Sequence, residues 1–88
     1  MRHRATAKFW TAYDALPSSV RLQADNAFLL LKRDPRHPSL RLKKVANVAW
    51  SARITRGWRV LALETGDGLL WFWIGPHDEY QRLIKSLV

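Results

Sequence analysis

Apolar and polar residues alternate in the second half of the chain, and this period of two predicts antiparallel strands. One apolar row contains Val48, Trp50, Ala52 and Ile54, and the next contains Trp58, Val60 and Ala62. The two rows share a face only in an even register, because a slip of one residue turns every side chain over. We therefore expect a three-residue loop at 55–57, with Ile54 opposite Trp58 and with Gly57 in the φ > 0 conformation.

A further strand follows after Gly66-Asp67, a pair that suits a two-residue type II′ turn with glycine at its first position. The register of this turn sets Ile74 opposite Arg59. The Gly75-Pro76 pair then turns the chain, so that His77 emerges beside the end of the first hairpin. The segment is therefore predicted to be a three-stranded meander with a histidine at one end.

Helical spacing dominates the first third of the chain. Thr6 is the expected N-cap of a first helix that ends near Ala15, and Pro17 is expected to begin a second helix. The first helix carries Phe9, Trp10, Tyr13 and Leu16, and the second carries a core stripe of Val20, Ala24, Ala27, Phe28 and Leu31. The prolines within Asp34–Pro38 end the second helix, because each disfavours helix in the residue before it.

A short strand is expected at about Ser39 to Val45, with two leucines facing inward and the basic residues facing outward. A closing helix is expected from Pro76, with Tyr80, Leu83, Ile84 and Leu87 on one side. The predicted order is ααββββα. It indicates an α+β fold in which two N-terminal helices pack on a four-stranded antiparallel sheet, followed by a short C-terminal helix.

Composition narrows the classes of protein. The chain has 88 residues, which suits one domain over residues 1–88, and 48% of them are hydrophobic, which favours a folded core. Fifteen Lys and Arg against seven Asp and Glu give a net charge of +8, which attracts nucleic acid, acidic proteins or anionic membranes. Cysteine is absent, which fits a reducing cytoplasm. We expect no signal peptide, membrane span, metal site or cofactor, and no nucleotide-binding or serine-triad motif.

The first hairpin sets Arg53 directly opposite Arg59. Two like charges across a ladder are destabilising, so the pair indicates a site for an anion, with phosphate as the obvious candidate. His77, Lys43 and Lys44 are expected near this pair. The other basic or aromatic candidates for RNA or phosphate contact are Arg41, Arg56 and Tyr80.

Each of these residues also has a plainer interpretation. Arginines on strands of a basic protein are commonly solvated, and a histidine at a helix start is commonly a cap. Lysines on a strand edge discourage aggregation, and Tyr80 fits a core anchor. Three leucines of the second helix, Leu22, Leu29 and Leu30, lie away from its core stripe. They either widen the core contact or form a partner-binding surface.

Five segments follow one another in the order LPSSVRLQA, DPRHPSLRLKKV, WSARI, WRVLA and WFWIGPHDEY. In order and spacing they resemble the RelE/ParE superfamily of type II toxin–antitoxin toxins, from about Phe9 to Ile84. The resemblance implies a RelE-like fold and a toxin held inactive by a cognate antitoxin, which we expect to be acidic. It implies either cleavage of mRNA on the ribosome, as in the RelE-like branch, or poisoning of DNA gyrase, as in the ParE-like branch.

The resemblance also suggests roles for single residues. Arg59 matches the phosphate-binding arginine of the family, and Arg53 matches a basic residue on the preceding strand. His77 occupies the position after the last strand where relatives use arginine or histidine. Lys43 and Lys44 approximate a basic cluster, while Tyr80 lies earlier than the family's functional tyrosine. The family's first strand is expected to be short or missing.

The presence of Arg53, Arg59 and His77 at the family's positions favours the nuclease branch. In metal-independent cleavage the 2′-hydroxyl of RNA attacks the adjacent phosphorus, which requires a base, an acid and cations placed near the phosphoryl oxygens. Arg53 and Arg59 would stabilise the charge, while His77 and Lys43 are the candidates for proton transfer. Two alternatives stay open, a gyrase inhibitor and a basic nucleic-acid-binding module without catalysis.

Overall fold

The computed structural model describes residues 1–87, without the side chain of Leu87. The sequence analysis places Leu87 on the apolar side of the closing helix, and this part of the prediction lies outside the described residues. The elements are β1 (Arg2–Ala5), α1 (Ala7–Asp14), α2 (Ser18–Arg33), β2 (Lys43–Lys44), β3 (Ala49–Thr55), β4 (Trp58–Glu64), β5 (Gly68–Pro76) and α3 (His77–Leu87). The strands form one sheet in the order β1-β5-β4-β3-β2. The α+β class is confirmed. None of the helices in this described range is long and apolar enough to cross a membrane.

The sheet has five strands rather than four, and it is mixed rather than purely antiparallel. The additional strand is β1, which pairs parallel with β5 from Arg2 opposite Gly68 to Ala5 opposite Trp71. A Cβ atom on Gly68 would lie 1.8 Å from the carbonyl oxygen of Arg2, so only glycine lets the two backbones approach this closely. The sequence does not predict β1 because its residues, Arg-His-Arg-Ala, lack the β-branched and aromatic side chains typical of strands.

The two N-terminal helices cover one face of the sheet. Thr6 caps α1 as predicted, its hydroxyl accepting a hydrogen bond from the backbone N–H of Phe9 at 3.1 Å. Pro17 immediately precedes α2 as its N-cap residue. Two groups of buried residues hold this face together: Leu31, Leu40, Ala52, Ala62, Leu69 and Trp71 form one, and Leu16, Val20 and Ile74 form the other. On the opposite face, the hydroxyl of Tyr80 on α3 donates to Ser51 Oγ of β3 at 3.1 Å.

The predicted strand over Ser39 to Val45 is wrong for most of its length. Residues Pro38–Leu40 form a 3₁₀ turn, in which the imidazole of His37 accepts the backbone N–H of Ser39. Arg41 then adopts the left-handed conformation with φ of 45°, which no strand residue can maintain. Only Lys43–Lys44 pair with β3.

The first hairpin confirms the opposition of Arg53 and Arg59 but not the loop. Thr55, rather than Ile54, pairs with Trp58, and the register shifts at Ile54. The turn is therefore shortened to Arg56-Gly57 by a bulge in β3, an extra residue that alternation alone does not reveal. Neither Gly57 nor Gly66 has a positive φ, so both predicted glycine turn conformations are wrong.

The second hairpin begins in the predicted register, with Glu64 opposite Leu69, and then shifts by one residue at Phe72. Ala62 pairs with Trp71, whereas Leu61 pairs with Trp73, so the two tryptophans lie on opposite faces of the sheet. Beyond this bulge, Gly75 lies opposite Arg59, and the expected pairing of Ile74 with Arg59 is wrong. A glycine, not an isoleucine, is therefore the neighbour of the arginine pair.

Candidate functional site

The two opposed arginines lie on the α3 side of the sheet. Ser51, which contacts Tyr80 of α3, lies two residues before Arg53 on the same strand. Because side chains alternate along a strand, Ser51 and Arg53 share a face, and Arg59 shares it by direct pairing with Arg53. The bulge brings Gly75 opposite Arg59, and the Trp73 ring covers this glycine, 2.5 Å from where a Cβ atom would lie. The arrangement places two positive charges side by side, next to a buried glycine covered by an indole ring.

Arg59 is held by the turn that it follows. One guanidinium nitrogen, Nη1, donates to the carbonyl oxygens of Thr55, of Arg56 at 3.1 Å and of Trp58 at 3.0 Å. Within residues 1–87, the Nη2 and Nε atoms have no hydrogen-bond partner. The guanidinium is therefore fixed in position by one nitrogen while the other two can bind an oxyanion.

The electrostatic surroundings of Arg59 are positive. Burial lowers the pKa of Arg59, and the nearby charges of Arg53 and Arg41 lower it further, while Tyr80 acts in the opposite direction. An arginine remains protonated despite such a shift. The lowered pKa nevertheless shows that the charged group is partly desolvated and lies among like charges. A bound anion would offset both the lost solvation and the repulsion.

Carboxylates do not neutralise this surface. In the described part of the chain, the ion pairs of Lys and Arg are those of Arg2 and Arg4 with Asp67 and of Lys44 with Glu64. Lys43 lies opposite Ser51 and so shares the face of the arginine pair. We call the residues Arg41, Lys43, Arg53, Arg56 and Arg59 the basic face. Its charges are available to an external anion.

Two predicted phosphate-binding residues make contacts within the protein. Lys44 lies opposite Trp50, on the other side of the strand from Lys43, and its ammonium nitrogen lies 3.7 Å from a carboxylate oxygen of Glu64. Tyr80 is only 4% exposed, and its hydroxyl is bound to Ser51. The contacts of both residues with RNA stay predictions: strand alternation places Lys44 on the other face from the arginine pair, and the packing of α3 buries Tyr80.

His77 is the first residue of α3 and lies against the turn of the first hairpin. Its backbone N–H donates to the carbonyl oxygen of Gly57 at 2.9 Å, in the same turn whose carbonyls hold Arg59. The half-buried imidazole packs near the ring of Tyr80, with 6.0 Å between ring centroids. Its Nε2 lies 3.3 Å from the side-chain amide nitrogen of Gln81. The structure thus brings the histidine and the arginine pair to one end of the sheet, as the sequence predicts.

The three leucines of α2 do not form one surface. Leu22 and Leu29 are 62% and 55% exposed, whereas Leu30 packs against the core. Sequence reasoning missed two exposed aromatic residues, Trp10 and Phe28, because helical spacing assigns both to the core. No group of three His, Asp or Glu side chains that could hold a metal ion occurs among the residues described.

Several solved structures with a similar fold are toxins or toxin–antitoxin complexes. The YoeB/ParE toxin from Agrobacterium tumefaciens is 20% identical, with 88% of this chain and 99% of that chain covered and a TM-score of 0.68. RelE in the RelB-RelE complex from Methanococcus jannaschii is 11% identical (91% and 96% covered, TM-score 0.71). The isolated E. coli RelE toxin is 15% identical (98% and 97% covered, TM-score 0.63).

At these identities the structural likeness establishes the fold. No curated protein sequence matches the chain significantly. Family membership rests on a sequence model, that of the ParE-like toxin domain, which matches residues 18–82. This match spans α2, the arginine pair and His77, which is most of the chain. The protein therefore belongs to the ParE-like toxin domain family.

Proposed function

We propose that this toxin is an endoribonuclease that cleaves mRNA on the ribosome in the cytoplasm, by a mechanism that requires no metal ion. The observation that supports this function best is the basic face without acidic partners beside His77. Two guanidinium groups suit the two non-bridging oxygens of a phosphodiester, since arginine binds phosphate through paired N–H groups. Arg41, Lys43 and Arg56 extend the positive charge along the adjoining backbone of the RNA.

The proposed reaction transfers a phosphoryl group within the RNA. The 2′-hydroxyl loses its proton to a base, and its oxygen forms a bond to the adjacent phosphorus. The bond from phosphorus to the 5′-oxygen breaks, and that oxygen takes its electron pair and then a proton from an acid. The products are a 2′,3′-cyclic phosphate and a 5′-hydroxyl. Arg53 and Arg59 stabilise the charge on the phosphoryl oxygens, and His77 and Lys43 transfer the protons.

The proposed regulator is a cognate acidic antitoxin. A similar structure contains RelE bound to RelB, which supports such a partner here. The net charge of +8 favours rapid capture of an acidic protein. Leu22 and Leu29, both exposed on α2, provide apolar contacts for an amphipathic segment.

The ends of the RNA products test this proposal. We expect the purified toxin, added to translating ribosomes, to produce fragments that end in a cyclic phosphate and begin with a 5′-hydroxyl. His77→Ala should lower the cleavage rate by roughly 10²–10⁴-fold, the usual contribution of a proton-transferring side chain. His37→Ala is the matched control, because His37 lies in the 3₁₀ turn, bound to Ser39, and it should retain the wild-type rate.

A second candidate function is inhibition of DNA gyrase without nuclease activity. The observation that favours it is the family model, which is that of the ParE-like toxin domain. The two functions differ in cells that express the toxin without an antitoxin. Intact transcripts together with accumulating gyrase–DNA breaks would replace the nuclease proposal by this one. Cut transcripts with undamaged DNA would exclude it.

A further inference from the structure

The three histidines of the chain each accept a hydrogen bond from a nitrogen donor. The indole N–H of Trp71 donates to His3 Nδ1 at 3.1 Å, and the backbone N–H of Ser39 donates to His37 Nδ1 at 3.2 Å. For His77 the donor is the side-chain amide of Gln81, and the accepting atom is Nε2, at 3.3 Å. His77 is thus the one histidine of the three whose accepting nitrogen is Nε2.

The accepting nitrogen determines the tautomer. A neutral imidazole carries its proton on one nitrogen and a lone pair on the other, so the nitrogen that receives an N–H cannot itself be protonated. His3 and His37 therefore carry their protons on Nε2. With the amide nitrogen of Gln81 at Nε2, the matching neutral form of His77 has its proton on Nδ1 and its lone pair on Nε2.

We propose that Gln81 is a positioning residue that sets the Nδ1–H tautomer of His77 and thereby makes Nε2 the atom that accepts the proton of the 2′-hydroxyl. The catalytic half of this inference rests on the proposed nuclease function, whereas the tautomer does not. Gln81 follows His77 by four residues on α3, which places the two side chains one above the other on the same helix face.

In the described range, the other neighbours of His77 make no hydrogen bond to its ring nitrogens that would select a tautomer. The carboxylate of Asp78 lies 3.8 Å from Nδ1, too far for a hydrogen bond, and its side chain is 97% exposed. Tyr80 flanks the ring, but its hydroxyl is committed to Ser51. The backbone N–H of His77 is bound to Gly57 and holds the helix start, not the ring.

RNA takes the place of the amide at the ring. When RNA enters, the 2′-hydroxyl takes the place of the amide N–H at Nε2 and transfers its proton to the lone pair there. The O–H bond breaks, its electrons remain on the 2′-oxygen, and that oxygen bonds to phosphorus.

Nitrogen-15 NMR of the three imidazoles tests the tautomer in the free toxin, at a pH where the rings are neutral. We expect a pyrrole-type Nδ1 and a pyridine-type Nε2 for His77, and the reverse pattern for His3 and His37. Gln81→Leu should remove the preference of His77, and Gln81→Glu should reverse it, because a carboxylate accepts from Nε2–H. Gln23→Leu, on the exposed surface of α2, is the matched control and should leave all three patterns unchanged.

Single-turnover RNA cleavage tests the catalytic half. Gln81→Leu should lower the rate by roughly 2- to 10-fold, the equivalent of one hydrogen bond, with the KM for RNA unchanged. Gln23→Leu should cleave at the wild-type rate. A pyridine-type Nδ1 in wild-type His77, or a preference that survives Gln81→Leu, would overturn the positioning role. A wild-type toxin that shows the expected tautomer but cuts no RNA would overturn the nuclease function instead.

Discussion

At the scale of single residues, Arg53 and Arg59 differ although they face each other. From the sequence alone, the two arginines are an equivalent, mutually repelling pair. Removing one of them should leave the stability unchanged or slightly higher. In the structure only Arg59 donates to the carbonyl oxygens of the hairpin turn. Arg59 therefore stabilises the turn that also holds the backbone of His77. One residue combines a structural role with the proposed binding of phosphate.

This difference predicts opposite effects on stability. Arg59→Ala should lower the free energy of unfolding by about 1 kcal/mol, because the charged hydrogen bonds to the turn outweigh the relief of repulsion. Arg53→Ala is the matched control. It should leave the free energy of unfolding unchanged or raise it, because this change removes only a charge that repels Arg59. Both variants should lose RNA cleavage, Arg59→Ala by about 10²-fold or more. Urea denaturation and single-turnover assays measure the two effects. Equal shifts of the urea midpoint would contradict the structural role of Arg59.

At the scale of secondary structure, β1 depends on a histidine. His3 stacks on Trp71 of β5 and accepts the indole N–H, and its ring also meets the edge of Phe28 on α2. Burial lowers the pKa of His3, and the positive charges of the chain's amino terminus and of Lys32 lower it further. The neutral ring is thus the form that attaches β1 to the sheet.

The lowered pKa predicts a loss of stability in mild acid. The unfolded chain binds a proton at His3 near the ordinary value of 6.5, before the folded protein does, so the contribution is complete above that pH and declines below it. The urea midpoint should therefore fall between about pH 7 and about pH 5. His3→Gln, which keeps an acceptor for Trp71 but does not titrate, should reduce this fall. An identical pH dependence in the two proteins would contradict the assignment.

At the scale of the whole molecule, charge and exposed apolar residues occupy different places. The basic face lies on the α3 side of the sheet, whereas Leu22 and Leu29 project from α2 on the side covered by the N-terminal helices. A single antitoxin that neutralises the charge and covers these leucines would have to extend around the domain. The division separates the rate of capture, which depends on charge, from the rate of release, which depends on apolar contact.

The proposed antitoxin complex should show these two dependences separately. Rising salt should slow association, because the net charge of +8 is screened. Leu22→Ser and Leu29→Ser should each speed dissociation, roughly 5- to 10-fold for an interface residue of moderate weight. Leu30→Ser is the contrasting variant: it should lower the stability of the free toxin, since Leu30 packs against the core. Kinetics that respond neither to salt nor to the two exposed changes would contradict the docking surface.

Features that depend on local periodicity and on the place of short turns could be predicted from the sequence. Helical spacing and the Thr6 cap located the first two helices, and alternation located the meander. The opposition of Arg53 to Arg59 followed from pairing parity together with a short turn at Gly57. The position of His77 beside the hairpin followed from the order of the strands. Each of these depends on neighbours close in the chain.

Features that depend on contacts between distant segments became visible in the folded structure. The strand β1 can pair with β5 because Gly68 has no Cβ atom that would clash with the backbone of Arg2. The residues of β1 themselves do not predict a strand. The bulge at Phe72 brought Gly75 rather than Ile74 beside Arg59, and a bulge costs so little locally that no spacing reveals it. Lys44 lies on the other face from the arginine pair because a strand has two faces, and Tyr80 is buried because α3 covers one of them. Alternation assigns each strand residue to a face, but only packing decides which face a helix covers.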